Sequence, residues 1–322
     1  MSFESIKQLL AQDMSVIDEV IRARLHSEVV LVNQVGEYIV SSGGKRLRPA
    51  LVVLSANAFG YPGNHHHHLA AVVEFIHTAT LLHDDVVDES ELRRGRATAS
   101  ALFGNAASVL VGDFLYSRAF QMMVEVDNMR VMQVLAEATN TIAEGEVLQL
   151  LNCHDADVGA ENYLHVIHCK TAKLFEAAMR LGAILSKSSA VDEEAAAKYG
   201  MHLGTAFQLV DDVLDYSADE LQTGKHLGDD LAEGKPTLPL IYAMQHGSTE
   251  QATLVRDAIE QGDVGKFVEV LQIIRTTGAL EFTRQQAAHE ADLACSAIAP
   301  LPDSKYKRCL LELADFAATR QF

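Results

Sequence analysis

An all-α fold follows from three features of this 322-residue sequence. Helix breakers are scarce: Pro occurs only 6 times, while Ala, Leu, Glu and Gln are frequent, a balance that favours helices over strands. Apolar residues recur with helical period over long segments. Alternating apolar–polar runs bounded by turn residues are few, so strands have little support.

Taken in order, residues 15–38 form an amphipathic segment that Ser42-Gly43-Gly44 ends. Residues 69–87 are apolar on nearly every side, as in a helix buried in a core. Segments 106–123, 131–151, 163–185 and 193–216 continue the pattern. No fixed-period repeat and no Gly/Ser/Pro-rich linker divides the chain, so residues 1–322 read as a single helical domain. Apolar residues make up 48%, enough for a sizeable core. The run His65–His68 follows the turn signal Tyr61-Pro62-Gly63 and reads as a solvated loop leading into the next helix. Such a run can bind a transition metal adventitiously, and no function is assigned to it.

Lys and Arg number 26 against 44 Asp and Glu, a net charge of −18 with a pI near 5.1. That balance excludes a general nucleic-acid binder, which needs a basic face. Cys153, Cys169, Cys295 and Cys309 show no CxxC pairing, so neither a zinc site nor a disulfide framework is expected, and a reducing cytoplasm fits. The start, Met1-Ser2-Phe3-Glu4-Ser5, carries no basic region followed by an apolar run. The uncharged stretch 97–112 is broken by Thr, Ser, Asn and Gly, and falls short of the ~18 apolar residues of a membrane span. A soluble protein is expected.

The strongest signal is Asp84-Asp85-Val86-Val87-Asp88 and its echo Asp211-Asp212-Val213-Leu214-Asp215. On a helix, residues four apart lie about 40° apart after a full turn, so Asp84 and Asp88 share a face, as do Asp211 and Asp215. Like charges at that spacing destabilise a helix by a few tenths of a kcal/mol, and more beside a buried face unless cations compensate. Two clusters facing each other would make a cage of hard oxygen ligands, suited to Mg²⁺ shared with phosphate oxygens rather than to zinc. Matching cations stand in Gly43-Gly44-Lys45-Arg46-Leu47-Arg48-Pro49 and in Arg93-Arg94-Gly95, with Lys170-Thr171, Lys225 and Lys235 as further candidates. Arg suits bidentate phosphate contacts, and Lys acts as a compact point charge.

These motifs, together with Gly112-Asp113, Glu144-Gly145-Glu146, Gly204-Thr205-Ala206-Phe207-Gln208, Gly228-Asp229-Asp230 and Gly234-Lys235-Pro236-Thr237, resemble the trans-isoprenyl diphosphate synthases over nearly the whole chain. The resemblance is to bacterial long-chain members, whose eight-unit product supplies the side chain of ubiquinone and menaquinone. It implies the all-helical isoprenoid synthase fold, a homodimer and two or three Mg²⁺ ions per active site. It places Mg²⁺ on Asp84, Asp88 and Asp211, with Asp85, Asp212 and Asp215 completing the catalytic clusters. It gives isopentenyl diphosphate to Lys45, Arg48, His77 and Arg94, and the allylic diphosphate, with farnesyl diphosphate as primer, to Arg93, Lys170, Thr171, Gln208 and Lys225. A transient membrane contact for release of a lipid product is compatible with it.

Product length should depend on how far the growing chain travels from the metal site. The residues five and four before Asp84 are Ala79 and Thr80, both small where short-chain members of the family carry aromatic rings. An open tunnel is therefore expected, with a deeper floor among Phe120, Met122 and Met123, and Met132 as a further candidate. Two competing readings are a class I terpene cyclase, which resembles the first cluster but usually lacks the second, and a non-catalytic subunit of a heteromeric prenyl synthase, which commonly loses aspartates. All six aspartates are present here.

Overall fold

The computed structural model describes residues 3–41, 43–93, 95–217 and 228–320. The helices are α1 (Phe3–Leu25), α2 (Val30–Ser41), α3 (Leu47–Ala58), α4 (His65–Val87), α5 (Ala99–Phe103), α6 (Asn105–Glu125), α7 (Met129–Asn152), α8 (Ala160–Ile167), α9 (Lys173–Leu185) and α10 (Ala190–Asp215). They continue as α11 (Asp229–Ala232), α12 (Leu238–His246), α13 (Thr249–Gln261), α14 (Phe267–Thr276), α15 (Ala279–Ala297) and α16 (Lys305–Thr319). The fold class expected from composition and period is the one observed.

Three local expectations are corrected. The segment 15–38 is broken: α1 stops at Leu25 and α2 starts at Val30. Asn33 accounts for the break, because its Nδ2 donates to Ser27 O at 2.7 Å and its Oδ1 accepts from Ser27 N at 2.9 Å, diverting the backbone groups a continuous helix would use. The histidine run is no loop but the first turn of α4, and His66 is only 7% exposed. Arg93 and its neighbours form a two-strand antiparallel ladder, β1 (Leu92–Arg93) with β2 (Arg96–Ala97), turned at Gly95, whose φ of 72° suits glycine.

Contacts divide the chain into two compact units: Met1–Thr139 with Leu174–Gly200 and Ala297–Leu313, and Asn140–Lys173 with Met201–Ser296 and Ala314–Phe322. In the first, α4 packs on α1, α3 and α6, and residues 51–54 and 69–73 are buried completely. Ser108 Oγ donates to Leu82 O at 2.8 Å, while His68 Nε2 lies 3.0 Å from Met122 O. These two contacts make α4 and α6 antiparallel neighbours along most of their length. A Cβ on Gly182 of α9 would strike the Ser55–Ala56 backbone of α3, so glycine there permits that close helix approach. In the second unit, Tyr163, Leu209, Val210, Leu238 and Ile241 form one apolar cluster, and Tyr216, Leu231, Leu240 and Val255 belong to another.

Candidate active site

The first aspartate cluster ends α4. Asp88 is its C-terminal cap, with its N–H on Asp84 O at 2.8 Å. Asp84 and Asp88 are half-buried. Asp85 turns inward, 1% exposed, and accepts from Arg93 Nε at 2.6 Å. Burial raises the Asp85 pKa above the usual carboxylate range, against the opposing pull of Arg93. Its Oδ2 is buried without a hydrogen-bond partner among the described residues. Three carboxyl groups on one helical turn, one with an unsatisfied buried oxygen, offer hard oxygen donors alone. That set fits Mg²⁺ and does not suit zinc.

The basic run after Gly43-Gly44 is split by its backbone. Arg46 sits in the left-handed region (φ 49°) at the start of α3, which sends its guanidinium to the buried Glu74 carboxylate and to Val40 O at 3.3 Å. Arg48, two residues on, faces elsewhere: its Nη1 lies 3.2 Å from His77 Nε2, and its guanidinium covers the Phe175 ring at 4.5 Å. Arg46 therefore braces the loop, whereas Arg48 and His77 form a polar pair backed by an aromatic ring. Lys45 is half-buried beside them in sequence. A cleft in this unit is lined by Gly43, Arg46, His77, Asp85 and Arg93, among others.

The second unit carries the other cluster on α10. Asp212 is 2% exposed and takes two side-chain bonds, from Gln208 Nε2 at 2.9 Å and from the Tyr163 hydroxyl. Thr171 Oγ1 donates to Gln208 Oε1 at 3.0 Å, which extends the chain to Thr171–Gln208–Asp212–Tyr163. Burial, then the Asp230 charge, pushes the Asp212 carboxyl well above its usual range. Asp211 is 43% exposed and pairs with Arg320. Asp215 accepts the Asp230 N–H at 3.3 Å.

Lys170 and Thr171 lie on a π-helical turn, His168–Ala172, between α8 and α9. Such turns insert one residue and re-aim side chains. A Cβ on Gly145 would come within 2.8 Å of both Cys169 Cβ and Lys170 N, so glycine in α7 lets the turn approach. One residue on, Glu146 holds the Lys170 ammonium at 2.6 Å.

Residues 29–274 match the polyprenyl synthetase family. The chain belongs to that family. It is 56% identical to the octaprenyl diphosphate synthase of Escherichia coli (strain K12) over 321 residues, 99% of each chain. It is 45% identical over 312 residues to the all-trans-nonaprenyl-diphosphate synthase (geranyl-diphosphate specific) of Rhodobacter capsulatus, covering 97% of this chain and 96% of that one. The solved polyprenyl synthase of Caulobacter crescentus CB15, complexed with calcium and isoprenyl diphosphate, superposes with a TM-score of 0.96 at 44% identity, over 100% of this chain and 98% of that one.

The residues ahead of the first cluster are those expected from the sequence to bear on product length. Ala79 is completely buried and Thr80 half-buried, with its hydroxyl donating to His77 O at 2.8 Å. Thr80 is the more accessible of the two. Met122 and Met123 are completely buried near the end of α6, at the His68 level of α4. Arg94 and Lys225 lie outside the described residues. Four contributors escaped the sequence reading: Glu74, Glu146, Tyr163 and Arg320. Glu146 stood in a quoted motif without a role. The other three had no local signal, since each meets its partner across 28 or more residues of chain.

Proposed function

We propose that this polyprenyl synthetase condenses isopentenyl diphosphate repeatedly onto an allylic primer, farnesyl diphosphate, and stops at octaprenyl diphosphate for a quinone side chain. The full-length 56% identity to an octaprenyl diphosphate synthase carries this reading. Lys45, Arg48, His77 and Arg94 hold isopentenyl diphosphate; Arg48 and His77 already stand together over Phe175. Arg93, Lys170, Thr171, Gln208 and Lys225 hold the allylic diphosphate, with Asp85 and Glu146 fixing the heads of Arg93 and Lys170. Asp84, Asp88 and Asp211 hold Mg²⁺, which when bound stabilises the charge that builds on departing diphosphate.

The basic side chains neutralise the diphosphate as the allylic C–O bond breaks and its electron pair leaves with the oxygen. The double bond of isopentenyl diphosphate, held alongside, donates its electrons to the allylic carbon and forms the new C–C bond. Released diphosphate accepts the proton then lost, which regenerates a double bond one unit further on. No side-chain nucleophile is needed. Chain 1–322 works as one catalytic domain, a reading supported by the family match, which includes residues of both units. It works in the cytoplasm, a reducing compartment that suits four cysteines with no CxxC pairing. It acts as a homodimer: α6 exposes Leu110 at 66% and Val124 at 63%, apolar surface suited to a second copy. Among the described residues no helix is long and apolar enough to cross a membrane, and release of the lipid product uses a transient membrane contact.

The test incubates purified protein with farnesyl diphosphate, isopentenyl diphosphate and Mg²⁺ and sizes the dephosphorylated products, with sedimentation of the same sample. An eight-unit product from a particle of twice 35.1 kDa is expected. Cyclic hydrocarbon made without consuming isopentenyl diphosphate would overturn the condensation. No turnover with any primer would point to a non-catalytic subunit.

A further inference from the structure

The proposed prenyl transfer leaves the histidine run at the start of α4 unused, yet two of its rings are gathered on one carboxylate. Asp13, on α1, places Oδ1 2.7 Å from His67 Nε2 and 3.8 Å from His66 Nε2. One ligand atom from each of the three residues falls within 4.8 Å of the others. Consecutive helical side chains ordinarily diverge by about 100°. Here the two rings tilt together, their centroids 4.0 Å apart and their planes at 41°. The Tyr61 ring stands edge-on to His66 at 5.8 Å and limits its rotation.

We propose that Asp13, His66 and His67 form a site for a borderline divalent transition ion, Zn²⁺ in the cell, that staples α1 to α4. Bonds of about 2.0–2.1 Å to a tetrahedral Zn²⁺ put neighbouring ligand atoms roughly 3.3 Å apart, and the two measured separations from Asp13 bracket that value. Two imidazoles and one carboxylate are a nitrogen-rich donor set that selects zinc over magnesium, and water fills the fourth position. The helix N-terminus opposes a cation with roughly half a unit charge, against the full charge of Asp13. The flanking histidines are differently placed. His68 Nε2 is held by Met122 O at 3.0 Å and faces Glu125 at 3.5 Å, which Arg24 also engages. His65 is exposed.

The experiment titrates chelator-stripped full-length protein, in excess Mg²⁺ to fill the aspartate clusters, with Zn²⁺ by calorimetry and with Co²⁺ by visible absorption. One ion per chain, a Co²⁺ spectrum of four-coordinate intensity and a raised Tm are expected. Asp13→Asn and His67→Ala, both partly accessible and so tolerant of change, should each weaken binding by about tenfold or more and abolish the Tm rise. His65→Ala and His68→Ala should leave it intact. Absence of saturable binding would overturn the proposal. So would binding that survives Asp13→Asn and His67→Ala, or that disappears with His65→Ala, the sign of adventitious chelation by the surface run.

Discussion

Arg320 joins three groups at the end of α16: it donates to Phe207 O at 2.8 Å, covers the Phe207 ring at 3.8 Å and pairs with Asp211. Its side chain is 2% exposed whereas Asp211 is 43% exposed, so the anchored partner is the arginine. A fixed guanidinium on one carboxylate oxygen orients the group that the proposed mechanism assigns to magnesium. Removing such an outer partner typically costs about 10–100-fold in metal affinity or activity. Arg320→Ala should therefore raise the Mg²⁺ concentration for half-maximal kcat/KM and lower activity within that range. Arg320→Lys should restore only part of the loss, because an ammonium cannot reproduce the planar stack on Phe207. A Mg²⁺ requirement unchanged in Arg320→Ala would reduce the contact to packing. Arg46 carries the opposite lesson: a cation inside a recognised basic motif is committed to Glu74, and only the folded contact reveals that.

Helix α4 combines the proposed ion staple at its start, His77 in its middle and the aspartates at its end. Its apolar character was legible, because a helix buried on nearly every side needs no polar stripe. Which of its small residues could open a tunnel was not, since the burial of each depends on segments distant in sequence. From Asp84 back to the His68 level the helix runs about 24 Å at 1.5 Å per residue, the depth at which Met122 and Met123 would form a floor. Thr80→Tyr, at the more accessible position, should shorten the product in the farnesyl diphosphate assay. Ala79→Tyr should shorten it too, but at a stability cost of about 1–3 kcal/mol from overpacking, read as a lower denaturant midpoint. Wild-type chain length in both variants would remove the tunnel argument. The π-helical turn at His168–Ala172 was hidden for a related reason: one inserted residue shifts the apolar period too little to be seen in the segment 163–185.

Across the molecule, acid stability should depend on charges drawn together from remote parts of the chain. Glu193 accepts from Arg130 Nη2 at 2.7 Å and from Arg180 Nε at 3.1 Å, and Arg180 also reaches Glu176 at 2.9 Å. Burial would raise the Glu193 carboxyl, but the two guanidinium groups outweigh it and hold its pKa below the usual range. The unfolded chain then binds more protons than the folded one as pH falls. The stabilisation is complete above the ordinary Glu value of about 4.3 and is lost as pH drops through the depressed one. Glu193→Gln should lower stability by about 1–3 kcal/mol at pH 7, with the gap to wild type narrowing below pH ~4. An equal gap at both pH values would show that packing, not charge, is responsible.

The sequence by itself determined the helical class, the carboxylate clusters, the Arg93 beside the first of them and the family, because period and motif spacing are local properties written along one chain. Tertiary structure alone decided that Arg46 braces Glu74 while Arg48 joins His77, that Tyr163 and Gln208 hold Asp212, that Arg320 anchors Asp211, and that His66 and His67 meet Asp13. Each of those contacts is a side-chain hydrogen bond or ion pair whose formation depends on burial and direction. Those quantities exist only once helices have packed.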